Sequence, residues 1–497
     1  MEYCLLEKQK EIFGPKGSHM SKLKKNLGYQ TIYQILNTCI PLITSPYLAR
    51  VLGAEKQGVF SYTQSIINYF TLFAMLGVEN YGTRTIANCG DDREKRSKSF
   101  WNIYFFQMCC TLLSIGIYVV YLTRICSQNV YIAFLQIFYL LGSLVDINWL
   151  FFGVEKFKTT VSRNMIIRIS SVVLILSTVR KPSDLWIYTL IMAGSTFLSN
   201  IILWFFASKE VDVKAIRTVS KKEVVKHIKP NLVLFVPLMA MSVYHIMDKT
   251  MLGLLSTYKQ VGYYYNADKI INIPIGILIG IGTVMLPRMT ALNSNGLINE
   301  AKKLFLLSIE LIVAVSSAMA CGIFAISVEF TPLFFGSGYD ECIRVIMMLS
   351  PILVIKGLSL VVRMQYLIPN QKEKIFIESV FWGAGINLIV NLLLIVRLGA
   401  LGAAIGTMAA ELVSCFWQYK KINKYISCSS VIYKSMVYVL FGVVMIIVVR
   451  IVARIFCGGI VALVFEILTG VVVYSLLCIG YWKLTKNKIL SVIKLRR

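Results

Sequence analysis

KLFLLSIELIVAVSSAMACGIFAIS, residues 303–327, decides the class of fold. After Lys303 its only charged residue is Glu310. Coiled as a helix at about 1.5 Å per residue, the stretch crosses a hydrocarbon core about 30 Å thick. Fourteen runs of this kind follow one another, at about 28–50, 59–83, 99–122, 130–152, 161–179, 185–207, 231–255, 263–287, 303–327, 341–366, 375–396, 400–418, 432–453 and 459–482. Each is about twice a barrel strand, and none alternates polar with apolar residues, so helices are predicted. Composition agrees. Of 497 residues, 57% are hydrophobic and 15% charged, against about 45–50% and about 25% in soluble chains. The predicted fold is an all-α polytopic membrane protein.

Loop charge sets the expected orientation. With the amino terminus in the cytoplasm, cytoplasmic connections carry about 33 Lys and Arg and the opposite ones about 9. Both termini are then cytoplasmic, in a cytoplasmic (inner) membrane. The net charge of +26 is mostly this topology, which argues against nucleic-acid binding and for contact with anionic lipid. Residues 1–19 read as an expression-tag remnant ending in Gly17-Ser18-His19, with Met20 as the native start. The basic stretch 209–230 divides the chain after six spans. An offset of 204 residues across it pairs Gly58 with Gly262, Ile66-Ile67-Asn68 with Ile270-Ile271-Asn272, and Arg84 with Arg288. An even number of spans per repeat keeps the orientation, so two parallel lobes are expected, 20–208 and 231–425, around a central cavity. Residues 426–497 add a helix pair and a basic tail.

Twelve cysteines show no ligand or disulfide spacing, and three histidines make no metal centre. No GxxxxGK[ST] phosphate loop is present. No predicted external loop exceeds about a dozen residues, which weighs against a glycan enzyme. No catalytic residue and no cofactor are expected.

The informative residues are charges inside the apolar runs, which are costly unless they face a partner or water. His245, Asp248 and Lys249 lie in the seventh run and Asp268 and Lys269 in the eighth, at similar predicted depth. They can pair into a neutral cluster, line a cavity, or take a proton or sodium ion. Asp146 and Arg168, with Arg84, Arg288 and Arg363, fall nearer the cytoplasmic side, where Asp146 is a candidate partner for Arg168. Arg50 ends the first run outside, where cations are rare. Glu310, Glu378 and Glu411 are candidates for a coupling proton or for structural pairs. Arginines around a cleft suit a phosphate.

These patches also carry a resemblance. Pro46-Tyr47-Leu48-Ala49-Arg50-Val51-Leu52-Gly53, the stretch from Asp146-Ile147-Asn148-Trp149 to Glu155, Asp248-Lys249-Thr250-Met251-Leu252-Gly253 with Val261-Gly262-Tyr263-Tyr264, and Leu367-Ile368-Pro369-Asn370 resemble, in order and spacing, bacterial polysaccharide flippases of the Wzx type. This family lies in the multidrug/oligosaccharidyl-lipid/polysaccharide exporter superfamily. The resemblance implies the two-lobed fold of multidrug-extrusion carriers and of the lipid II flippase. It implies alternating-access transfer of an undecaprenyl-diphosphate-linked oligosaccharide (an O-antigen, capsule, exopolysaccharide or teichoic-type unit) to the outer leaflet. It also implies a cationic cavity of Arg50, Arg84 and Arg288, with Lys249, Lys269 and Arg363. A monomer is expected, in contact with membrane lipids and with polysaccharide polymerase machinery, and with H+ or Na+ as coupling ion. The competing readings are a drug or cation antiporter of the same fold and a membrane-embedded glycan polymerase.

Overall fold

The computed structural model describes residues 16–426, 428–456 and 459–485. Among them there are helices and no strand. In chain order they are α1 (Lys16–Met75), α2 (Val78–Ala87), α3 (Arg93–Arg124), α4 (Val130–Leu135), α5 (Ile137–Leu144), α6 (Asn148–Gly153), α7 (Phe157–Thr178), α8 (Leu185–Ala207), α9 (Lys221–Leu255), α10 (Tyr258–Ser294), α11 (Ile298–Phe335), α12 (Asp340–Leu349), α13 (Ile352–Val362), α14 (Glu373–Leu398), α15 (Ala400–Ile422), α16 (Cys428–Ile455) and α17 (Gly459–Leu484). All fourteen predicted runs fall on helix. Eleven helical stretches among the described residues are long and apolar enough to cross a membrane, with α1 and α9 outside that set.

Three local differences from the prediction have physical causes. The first two runs are two helices that meet at a kink with no loop between them, because Gly53 takes a non-helical φ of 72° and ψ of 170° within α1, and the second run continues past Met75 into α2. The fourth run is broken into α4, α5 and α6. Gln136 sits between the first two pieces, with its amide donating to Thr63 Oγ1 at 2.6 Å and to the Phe60 carbonyl at 3.2 Å. Helix α9 starts ten residues before the predicted span, inside the stretch read as a linker. There Ser220 caps it by accepting from the Glu223 N–H at 3.3 Å, with Glu223 in the first turn.

Helices α2 to α8 pack chiefly on one another and on α1, while α11 to α17 pack chiefly on one another and on α9 and α10. The two sets meet through α1, α9 and α10. Exposed Phe205 of α8 and Val396 of α14 belong to the apolar surface that such helices present to lipid.

One crossing brings the sets to backbone contact. A Cβ at Gly58 of α1 would lie 1.7 Å from the Tyr258 carbonyl oxygen, and one at Gly262 of α10 would lie 1.9 Å from the Ala54 carbonyl oxygen. Only glycine lets the two backbones approach so closely. Polar bonds add to the contact at the same end. The Tyr339 hydroxyl donates to the Ala49 carbonyl at 3.2 Å, and Arg50 Nη2 donates to the Leu333 carbonyl at 2.7 Å. Tyr62 and Tyr258 place their ring centroids 5.5 Å apart.

Gly262→Ala is therefore expected to destabilise the protein by about 1–3 kcal/mol through overpacking, seen as a lower thermal midpoint in detergent. Gly280→Ala, on the same helix with nothing within 4 Å of the added carbon, is expected to leave the midpoint unchanged or raise it slightly.

Candidate functional site

Helix α10 carries charge on neighbouring faces. Asp268 accepts from Lys249 Nζ of α9 at 2.9 Å and from Asn272 Nδ2 at 2.8 Å. Lys269 lies over the Tyr265 ring, 3.9 Å from its centroid. Of the two acids and two bases grouped from the sequence, the structure thus pairs Lys249 with Asp268 directly and places Lys269 on an aromatic face. Asp248 points elsewhere, because one residue along a helix rotates the side chain by about 100°. It is buried among α10, α14 and α15, accepting from the Tyr264 hydroxyl at 2.7 Å, Asn387 Nδ2 at 3.0 Å, Asn391 Nδ2 at 2.7 Å and the Thr407 hydroxyl at 2.8 Å. Gly406 makes room for this cluster, since a Cβ there would meet Asn391 Oδ1 at 2.1 Å. The side chain of His245 lies outside the described residues.

Two cavities flank α10. One, of about 380 Å³, is bounded by α1, α7, α8 and α10 and contains Asp146, Asn148, Arg163, Arg168 and Lys269. Here Asn148 links two charges: its N–H and side-chain amide donate to Asp146 Oδ1 at 2.9 and 2.7 Å, and its Oδ1 accepts from Arg163 Nη2 at 3.0 Å. Arg163 Nη1 also donates to the Ser199 carbonyl at 2.7 Å. Arg168 shares the cavity with Asp146. The other cavity, of about 310 Å³, lies among α9, α10, α13, α14 and α15 and contains Asn272, Lys356, Arg363 and Glu411. Lys356 Nζ is 3.2 Å from Glu411 Oε1, and the Arg363 guanidinium lies 4.3 Å from the Phe376 ring centroid. Among the described residues, five cations (Arg163, Arg168, Lys269, Lys356, Arg363) and two acids (Asp146, Glu411) stand across both linings.

The other residues singled out from sequence lie apart from these cavities. Arg50 is at the crossed end, in a cleft of about 660 Å³ with Glu55, Lys56 and Lys259. Arg84 and Arg288 are exposed and line neither cavity. Glu378 accepts from Trp417 Nε1 at 3.3 Å and lies 3.8 Å from Lys421. Glu310 accepts from the Tyr438 hydroxyl at 2.7 Å, which in turn accepts from Trp482 Nε1 at 2.8 Å. Lys356 and the Asn387–Asn391–Thr407 set were missed. Lys356 carried the same signal as the residues chosen, a lone charge in the run Pro351-Ile352-Leu353-Val354-Ile355-Lys356. The two amides share a helix face four residues apart, a spacing visible in the sequence. Among the described residues no group of three or more His, Cys, Asp and Glu is placed to hold a metal ion.

With this geometry in place, comparison with known proteins is informative. Residues 23–293 match the family model described as polysaccharide biosynthesis protein. The chain belongs to that family. Two curated relatives are named as candidate O-antigen transporters. The one from Escherichia coli K12 is 25% identical over 413 residues, 82% of this chain and 98% of the relative. The one from Shigella dysenteriae is 23% identical over 402 residues, 81% of this chain and 100% of the relative. Among solved structures, this family member is similar to the lipid II flippase MurJ in an inward closed conformation, with a TM-score of 0.68, 14% identity, and 91% and 98% of the two chains covered. It is also similar to an inward-facing multidrug resistance MATE transporter, with a TM-score of 0.56, 17% identity, and 80% and 96% covered. These likenesses establish the fold. The all-helical membrane architecture and the polysaccharide-family resemblance read from the sequence are both borne out.

The Lys356–Glu411 pair is mostly shielded, with side chains 21% and 11% exposed. Removing one partner strands the other, so Lys356→Met and Glu411→Gln are each expected to lower stability, by up to about 3 kcal/mol. The double variant should recover most of that loss in a double-mutant cycle read by thermal unfolding.

Proposed function

We propose that this protein is a flippase for an undecaprenyl-diphosphate-linked oligosaccharide, carrying its headgroup from the inner to the outer leaflet by alternating access. The observation that carries the reading is the excess of cations in two cavities on either side of α10. A diphosphate with several sugars cannot leave water unaided. A lining with more guanidinium and ammonium groups than carboxylates replaces its hydration. The names of the two curated relatives point the same way. In this reading residues 20–208 and 231–425 are the moving lobes, and the crossed end with Gly58 and Gly262 is the closed outer side. The two cavities then belong to a state that receives substrate from the cytoplasm. Lys269, Lys356, Arg163, Arg168 and Arg363 take the anion, and Lys249 joins them when Asp268 releases it. Exposed Arg84 and Arg288 attract the anion at the basic cytoplasmic rim, and Arg50 clasps the closed side. The lipid tail stays at the membrane. An apolar groove of about 480 Å³ among α1, α10, α11, α16 and α17 suits it, giving the appended helix pair a role.

The membrane potential assists outward movement of an anion, by about 2.3 kcal/mol per charge per 100 mV. Asp248 is the residue we assign to a coupling ion. Two amides and two hydroxyls surround its carboxylate, and the buried Asn391 Oδ1 has no hydrogen-bond partner. Hard oxygen donors with a single charge fit a proton or sodium better than a divalent ion. A drug–cation antiporter of the same fold would want the opposite charge balance in its cavity.

Complementation checks the assignment. In a host lacking its flippase for one lipid-linked glycan, the chain should restore export. Lys269→Ala and Arg168→Ala should cut that export tenfold or more while leaving membrane insertion intact. Full export by both variants would remove the anion site from these cavities. For the ion, sodium should raise the thermal midpoint of the native protein and leave Asp248→Asn unmoved; an equal response in both would place the ion elsewhere.

A further inference from the structure

Another buried carboxyl lies outside the Asp248 cluster and takes no part in the mechanism above. Glu466 of α17 is 0% exposed, and neither carboxyl oxygen has a hydrogen-bond partner. It lines the apolar groove of about 480 Å³, whose other polar residues are Tyr474 and Ser475. The Tyr474 hydroxyl is engaged, donating to the Ala314 carbonyl at 2.8 Å. Among the described residues, helices α1 and α10 offer the groove Leu42, Ile270, Ile273, Pro274 and Ile277. Among the described residues, the charged groups that act on Glu466 are Glu329 of α11 and Arg450 of α16. Arg450 is committed to the other acid: its Nη1 donates to the Glu329 carboxylate oxygens at 2.9 and 2.7 Å, and to the Ala325 carbonyl at 3.2 Å.

Two acids thus share one base inside a membrane protein. Arg450 can neutralise one carboxylate, and here it has taken Glu329. A second, unpaired carboxylate walled by hydrocarbon groups is far costlier than a neutral acid. We propose that Glu466 is a proton-binding site in the groove, separate from Asp248, which carries its proton while Arg450 is held by Glu329. Loss of the proton makes Glu466 a competitor for Arg450, so protonation decides which of α11 and α17 is tied to α16. Resting on the flippase reading, the inference extends to the tail. A prenyl chain lying in the groove covers Glu466 and favours the neutral acid, and an ionised Glu466 opposes the chain.

Dicyclohexylcarbodiimide reports such an acid. The carboxylic proton passes to a carbodiimide nitrogen, the carboxylate oxygen adds to the central carbon, and the adduct rearranges to a stable acylurea. The full-length protein in detergent is treated near neutral pH and the label located by mass spectrometry. Glu466 should be labelled, with the yield falling as pH rises, and Glu466→Gln should lose that label while keeping its thermal midpoint. Glu329→Gln releases Arg450 to pair with Glu466 and should cut labelling several-fold. Undecaprenyl phosphate should slow labelling several-fold, and inorganic pyrophosphate should not. No label at Glu466 in the native protein, or equal labelling in Glu329→Gln, overturns the proton site. Labelling indifferent to undecaprenyl phosphate overturns its link to the tail. Because labelling needs no transport, failed export with intact labelling counts against the flippase reading alone.

Discussion

The approach of α1 to α10 at Gly58 and Gly262 is the contact on which the rest of the structure depends. Two backbones touch where any side chain would collide with a carbonyl. In a membrane there is little hydrophobic drive to join helices, so close packing and polar bonds must hold them. The glycines supply the packing, and Tyr339 and Arg50 supply bonds to backbone carbonyls. With the halves fixed at this end, α10 runs on between two cavities, and its own residues Lys269 and Asn272 reach one each.

Charge placement follows the same logic. The described charges on and beside α10 each have an identifiable means of being tolerated. Lys249 and Asp268 pair, and so do Lys356 and Glu411. Lys269 rests on an aromatic face, and Asp248 is enclosed by hydrogen-bond donors. These solutions differ in how easily they are undone. A pair lining a cavity can exchange its partner for a substrate phosphate, whereas Asp248 would have to give up four donors at once. In the mechanism we propose, that difference separates the site for the large anion from the site for the small cation.

The sequence was most legible where one residue type had one physical meaning. Runs of apolar residues meant helices. The offset that aligned Gly58 with Gly262 picked out two residues that turn out to touch. Less legible was anything that depended on which way a side chain turns. Asp248 and Lys249 are adjacent in sequence and serve different sites. Arg84 and Arg288 share the repeat's signal, yet both are exposed beyond the cavities. Backbone breaks were hidden for the same reason: Gln136 splits a run by reaching across to Thr63, and nothing in the local pattern announces a partner 73 residues away.

The most direct measurement is a reversible lock on the crossed end. Tyr62 and Tyr258, in ring contact across it, would be replaced by cysteine in a chain freed of other reactive thiols. A short, reducible thiol-to-thiol bridge would then be formed in export-competent cells. If the halves must part here to release substrate, the bridged protein stops exporting and reductant restores it. Undiminished export by the bridged protein would contradict the account.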